Sequence, residues 1–216
     1  MDFSAMPITL ALIAANVIVS LIGFSNPGFV NKFIMWPYGV KRENQYIRFI
    51  SSGFLHADFM HLFFNMFTLF FFGRAVEIYF SHYLLGGAAA YLGLYFLGLI
   101  ASDLPSYLKY RDQPHYRSLG ASGAVSAVVF AAIIFDPWSS IYIYGAIKIS
   151  AMLYAGLYLL YCVYMSKKGG DHVNHDAHLW GSLFGLAFTL LLIATRQPEL
   201  FNGIVEELKH PSIFGR

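Results

Sequence analysis

The sequence predicts an all-α integral membrane protein, a bundle of six spanning helices. Only 12% of its 216 residues are charged and 57% are hydrophobic, against about 25% charge in an ordinary soluble domain. Mean hydropathy is +0.56. Six apolar stretches approach the ~20 residues that a helix rising ~1.5 Å per residue needs to cross a ~30 Å hydrocarbon core.

The first stretch is 7–24. Met1-Asp2-Phe3-Ser4-Ala5-Met6 precedes it without the basic segment of a cleaved signal peptide, so it reads as a retained span. The second, 60–80, is interrupted near its end by Arg74 and Glu77. The third is 83–101. The fourth, 119–135, is stopped by Asp136-Pro137. The fifth is 149–165, with 141–147 as an interfacial lead-in. The sixth, 177–195, is stopped by Arg196-Gln197-Pro198.

The connection 25–59 is long and carries Trp36, Pro37, Lys41, Arg42 and Arg48. It is expected to hold structure of its own, because long structureless loops are uncommon. The loops 102–118 and 166–176 are moderate. No internal repeat interrupts the pattern. Residues 1–216 are therefore expected to form one polytopic membrane domain, with 199–216 as a polar C-terminal tail.

Composition also excludes. A formal charge of +2 and no basic stripe argue against a nucleic-acid partner. Cys162 is the one cysteine, so no intrachain disulfide can form, and it reads as a small buried or lipid-facing side chain.

Span parity points to chemistry. Successive spans alternate direction, so the starts of the second, fourth and sixth share one side of the membrane. Those starts carry His61, Ser122 and His178. Polar groups at membrane depth are costly and mark function. A serine hydroxyl is a weak nucleophile until a base takes its proton, and histidine is the usual base.

The means of approach is present. Gly181 and Gly185 follow His178 at i+3 and i+7, and Gly123, Ala127 and Ala131 form a small-residue stripe beside Ser122. Small residues let membrane helices come close. Acyl transfer also needs donors for a developing oxyanion. Ser122 lies in a first helical turn, where backbone N–H groups are unpaired and the dipole favours an anion. His61 and Asn65 stand at i, i+4, one face of the second span, about 6 Å apart at Cβ.

His61-x-x-x-Asn65 on a second span, Gly120-x-Ser122-Gly123 at a fourth and Ala177-His178-x-x-Gly181-x-x-x-Gly185 on a sixth resemble the rhomboid family of intramembrane serine proteases. The resemblance covers roughly 48–195. Each motif alone is weak, and the ordered set is specific. It implies a six-helix bundle with a water-accessible cavity open to the extracytoplasmic side. Ser122 would be the nucleophile and His178 the general base of a dyad without a third acid. His61, Asn65 and the Ser122 backbone N–H would line the oxyanion hole, with Gly120, Gly123, Gly181 and Gly185 structural. Substrates would be transmembrane segments entering from the bilayer near the second and fifth helices. No cofactor is implied.

Gly73-Arg74-x-x-Glu77 is similar to a family position where a glutamate organises the first loop. Arg74 and Glu77 are expected as a structural i, i+3 pair. Many members have Trp-Arg in the first loop, where this chain has Ile47-Arg48.

Other readings fare worse. Ala124 stands where the soluble-hydrolase elbow G-x-S-x-G needs glycine. His172, His175 and His178 with Asp171 or Asp176 could hold a metal, but loop histidines at a membrane surface are commonly solvated, and no metal site is expected. A transporter would suit buried polar groups, yet no inverted repeat is evident. A bacterial inner membrane suits the short chain. The sequence gives no oligomeric state.

The loops that the resemblance places outside carry nine Lys and Arg: Lys32, Lys41, Arg42, Arg48, Lys109, Arg111, Arg117, Lys167 and Lys168. The other side has Arg74, Lys148, Arg196, Lys209 and Arg216. The positive-inside rule taken alone favours the reverse orientation.

Overall fold

A computed structural model describes residues 6–84, 86–143, 146–171 and 173–215. The first five residues, read above for their lack of basic charge, lie outside it. Among the described residues the chain is almost wholly helical, with one short hairpin.

Helix α1, Pro7–Ser25, opens on a proline, whose missing N–H costs nothing in a first turn. The long connection holds α2 (Pro27–Phe33), α3 (Pro37–Glu43) and α4 (Arg48–Ser51). Asn26 caps α2 by accepting the Phe29 N–H at 2.9 Å. Asn44 ends α3 in the left-handed region at φ 56°. A 3-10 turn, Ser52–Phe54, follows.

Arg48 holds this loop together. It is 5% exposed, and its guanidinium donates to the carbonyls of Asn31 and Ile34 at 3.1 and 2.6 Å and to the Gln45 side chain. Trp36 lies between the guanidinium groups of Arg48 and Arg117, 5.6 and 4.3 Å from its ring, and donates to the Pro114 carbonyl at 3.0 Å. An aromatic ring beside a buried arginine is thus present, drawn from Trp36 rather than from position 47.

The second apolar stretch folds as α5 (Phe59–Thr68), a π turn (Leu69–Gly73) and α6 (Arg74–Tyr83). Asp58 caps α5 by accepting the His61 N–H at 2.8 Å. Glu77 does not bond to Arg74. Its carboxylate accepts the Ile8 and Thr9 N–H groups at 2.8 Å each and the Thr9 hydroxyl at 2.7 Å. It therefore caps α1 from another helix, where orphan N–H groups need acceptors. The expected i, i+3 pair gives way because a buried carboxylate gains more from three donors than from one half-buried cation.

Helix α7, Gly87–Tyr110, runs well past the expected end at 101, with Pro105 inside it. Ser102 and Ser106 fall in the expected loop 102–118, yet both are buried. Helix α8, Ser122–Phe135, has 14 residues, of which Gly123 through Ile134 are all buried. It begins at Ser122 rather than 119 because Gly120 takes φ +126°, which no helix continues.

The expected lead-in 141–147 is a hairpin instead: β1 (Ser140–Ile143) pairs antiparallel with β2 (Ile147–Ser150). Residues 144 and 145 lie outside the described set. Helices α9 (Ala151–Lys168), α10 (His175–Arg196) and α11 (Pro198–Leu208) complete the chain.

Among the described residues four helices are long and apolar enough to cross a membrane: Pro7–Ser25, Phe59–Tyr83, Gly87–Tyr110 and His175–Arg196. The other two expected spans fall short for different reasons. Helix α8 is apolar but brief, the form of a helix buried on every side. Helix α9 has the length, but four tyrosines and two lysines lower its hydropathy.

The core is organised around α8, which packs against α7 and α10. A Cβ built on Gly181 would meet the Gly123 carbonyl at 2.1 Å, and one on Gly185 the Ala127 carbonyl at 2.2 Å. The backbones of α8 and α10 touch there, as small residues permit.

Candidate active site

The close contact of α8 and α10 sets the central geometry. His178, one turn before Gly181 on α10, brings Nε2 to 2.8 Å from the Ser122 Oγ. That is the distance of a well-formed hydrogen bond. Ser122 is the first residue of α8, so its backbone N–H is one of the helix's orphan donors.

The segment entering α8 is held from outside. Met35 and Ser118 exchange two backbone hydrogen bonds, and the Gly120 N–H donates to the Ser52 carbonyl at 3.1 Å. Gly120 also makes room: a Cβ there would lie 2.7 and 2.9 Å from the Cε1 and Nε2 of His61. Gly123 is equally constrained, since its built Cβ would meet the Ser102 hydroxyl at 2.2 Å.

Ser122, His178, His61 and Asn65 line one cavity of about 930 Å³. Phe64 and Thr68 of α5 and Tyr154 and Tyr158 of α9 also line it. The Ala57 N–H donates to His61 Nδ1 at 3.4 Å, which puts the ring proton on Nε2, the nitrogen beside Gly120. Asn65 spends one amide hydrogen on the His61 carbonyl at 2.9 Å, leaving its second for the cavity.

Two neighbours, Tyr158 and His56, escaped the sequence reading, and a third, His175, was read differently. Tyr158 of α9 stacks on His178, centroids 6.4 Å apart at 17°, and its hydroxyl lies 3.2 Å from that of Ser126. Its position in an otherwise lipid-like helix gave no signal. His56 is 4% exposed, hydrogen-bonds Ser20 through Nδ1 at 2.8 Å and meets the His61 ring edge-on at 4.9 Å. Burial, with His61 nearby, pushes its pKa down to about 3, so it stays neutral. His175 is also buried, at 4% exposure, which corrects the expectation of a solvated loop histidine. The folded loop before α10 turns it inward, bonded through Nε2 to Asp171 at 2.9 Å.

No carboxylate bonds to His178 among the described residues. Asp171 is engaged with His175, and Asp176 takes Lys109 at 3.4 Å and the Ser166 hydroxyl. His172 lies outside the described residues. The arrangement can move a proton from a serine hydroxyl to an imidazole inside an apolar bundle, beside several N–H donors.

A model of the rhomboid domain matches residues 43–195, more than half the chain. The chain belongs to the rhomboid family. It is 29% identical over 187 residues, 81% of its length, to the RHOMBOID-like protein 12, mitochondrial, of Arabidopsis thaliana. It is 28% identical over 189 residues, 85% of its length, to the Rhomboid protease GlpG of Enterobacter sp. (strain 638). It spans 55% and 62% of the lengths of those two rhomboids. The family membership and the apolar helices make this a membrane-embedded rhomboid.

Proposed function

We propose that this rhomboid is an intramembrane serine endopeptidase that cleaves transmembrane segments of other proteins. Six helices would cross the bilayer, the four long apolar ones together with α8 and α9. The observation that carries the reading is the 2.8 Å contact between Ser122 Oγ and His178 Nε2 at the floor of a cavity sunk among apolar helices.

In this mechanism His178 Nε2 accepts the Ser122 proton as Oγ attacks the scissile carbonyl. The Ser122 N–H, His61 Nε2–H and the free Asn65 N–H stabilise the resulting oxyanion. Collapse expels the amine, which takes the proton from His178, and leaves an acyl group on Ser122. Water, deprotonated by the same histidine, then releases it. With no acid behind it, His178 relies on packing against Tyr158 for its orientation. Substrate would enter from the bilayer between α5 and α9, both of which line the cavity.

Labelling by a fluorophosphonate probe in detergent tests this. Wild type should be labelled, Ser122→Ala should not, and His178→Ala should label far more slowly. Equal labelling of the three would rule out the serine mechanism.

A further inference from the structure

Behind the Ser122–His178 contact, α9 and α10 bring together three side chains that proteolysis does not use as a set. The Cys162 sulfur and one ring nitrogen each of His175 and His178 all lie within 4.8 Å of one another. Cys162 is fully buried and His175 is 4% exposed. Both histidines line the aqueous cavity, so an ion has a route to them.

The decisive atom is on His175. Its Nε2 is held by the Asp171 carboxylate at 2.9 and 3.2 Å, and its Nδ1 is buried with no hydrogen-bond partner. Buried polar atoms are rarely left unpaired. With Nε2 held by Asp171, Nδ1 is the nitrogen left to join the thiol and the second imidazole, a donor set that suits zinc. A carboxylate on the far nitrogen is the partner a ligating imidazole commonly has. The Ser122 hydroxyl occupies His178 Nε2, which leaves Nδ1 for a metal. Zinc bonds of about 2.0–2.3 Å set donors about 3.5 Å apart, so closing the site requires side-chain rotations of about 1 Å.

We propose that Cys162, His175 and His178 form an inhibitory site for a zinc-class divalent cation, with cavity water as the fourth ligand. On binding, the Cys162 thiol releases its proton to water and ligates as thiolate. Neutral His178 has a single N–H. In the active tautomer that proton is on Nδ1, and the Nε2 lone pair faces Ser122. A cation on Nδ1 displaces the proton there and binds the electron pair it leaves, and the Nε2 lone pair takes up that proton. Nε2–H then donates to Ser122 and can no longer accept its proton. The inhibitory consequence rests on the proposed dyad; the binding does not.

The test uses the full chain in detergent, with Zn²⁺ as inhibitor and Co²⁺ as spectroscopic probe. Micromolar Zn²⁺ should slow fluorophosphonate labelling of wild type at least tenfold, reversibly with EDTA. Cys162→Ser and Cys162→Ala should label like wild type without metal and lose at least tenfold in Zn²⁺ sensitivity. Ser122→Ala cannot be labelled, yet it should bind one Co²⁺ with a thiolate-to-cobalt absorption band that Cys162→Ser lacks. That band, together with failure of wild type to label, would uphold the metal site and overturn the dyad reading. Absence of the band, or Zn²⁺ inhibition unchanged in both Cys162 variants, would overturn the metal site.

Discussion

Asn65 shows how residue-scale chemistry constrains the site. Its amide keeps one hydrogen on its own helix and has one to offer the cavity. Removing an oxyanion donor typically costs ~10²–10³ in turnover. Asn65→Ala should therefore lower kcat for a transmembrane substrate by about two orders of magnitude while the helical circular dichroism stays unchanged. Retained kcat would remove Asn65 from the oxyanion hole. The four side chains named from sequence share one cavity because residue type and span parity are both readable from a chain. Tyr158, His56 and the buried His175 were not readable, because their contacts depend on how neighbouring helices rotate against one another, and each is an ordinary residue for its own segment.

Among elements, Glu77 and α9 make contrasting cases. Glu77 satisfies the start of α1 through three hydrogen bonds. Glu77→Ala would leave the buried Thr9 N–H and the part-buried Ile8 N–H without their acceptor, at about 1–3 kcal/mol for the buried group. A drop in Tm of several degrees is expected, and a Tm equal to wild type would show that α1 docks without the cap. Tyr158 couples α9 to the site through its ring on His178 and its hydroxyl near Ser126. Tyr158→Phe keeps the ring and should change labelling little. Tyr158→Leu should lower kcat more than it raises KM and shift the pH dependence of labelling, since the unsupported imidazole changes orientation. Identical pH profiles would assign Tyr158 to packing alone. Helix positions followed from apolar length, whereas their ends did not. Helix α7 continued through Ser102, Asp103 and Pro105 because α8 and α10 accept its polar side, and the hairpin before α9 arose where an apolar run looked like more helix.

For the whole molecule, four of the nine loop cations that oppose the proposed orientation are held by neighbours. Lys41 is bound to Asp112 at 2.6 Å, Lys109 to Asp176 at 3.4 Å, Arg48 is buried under the first loop, and Arg117 lies 4.3 Å from the Trp36 ring. The topological rule counts Lys and Arg rather than net charge, so the proposed orientation is tested directly. A reporter cysteine, Gln113→Cys with Cys162→Ser, expressed in a bacterial inner membrane, should react with an impermeant maleimide added outside intact cells. Reaction only after lysis would reverse the orientation. The π turn at Leu69–Gly73 has a consequence that joins the two ends of this architecture. A π turn absorbs one extra residue, and each residue of an α-helix advances the face by about 100°. An uninterrupted helix would set His61 and Glu77 on nearly opposite sides, so one of them would lose its partner. The widened turn lets the same helix point His61 at the cavity and Glu77 at α1. The spare residue in that turn sets the two faces: deleting one residue of 69–73 would return a plain α-helix with both faces kept, whereas adding one would rotate His61 and Asn65 by about 100° relative to Glu77.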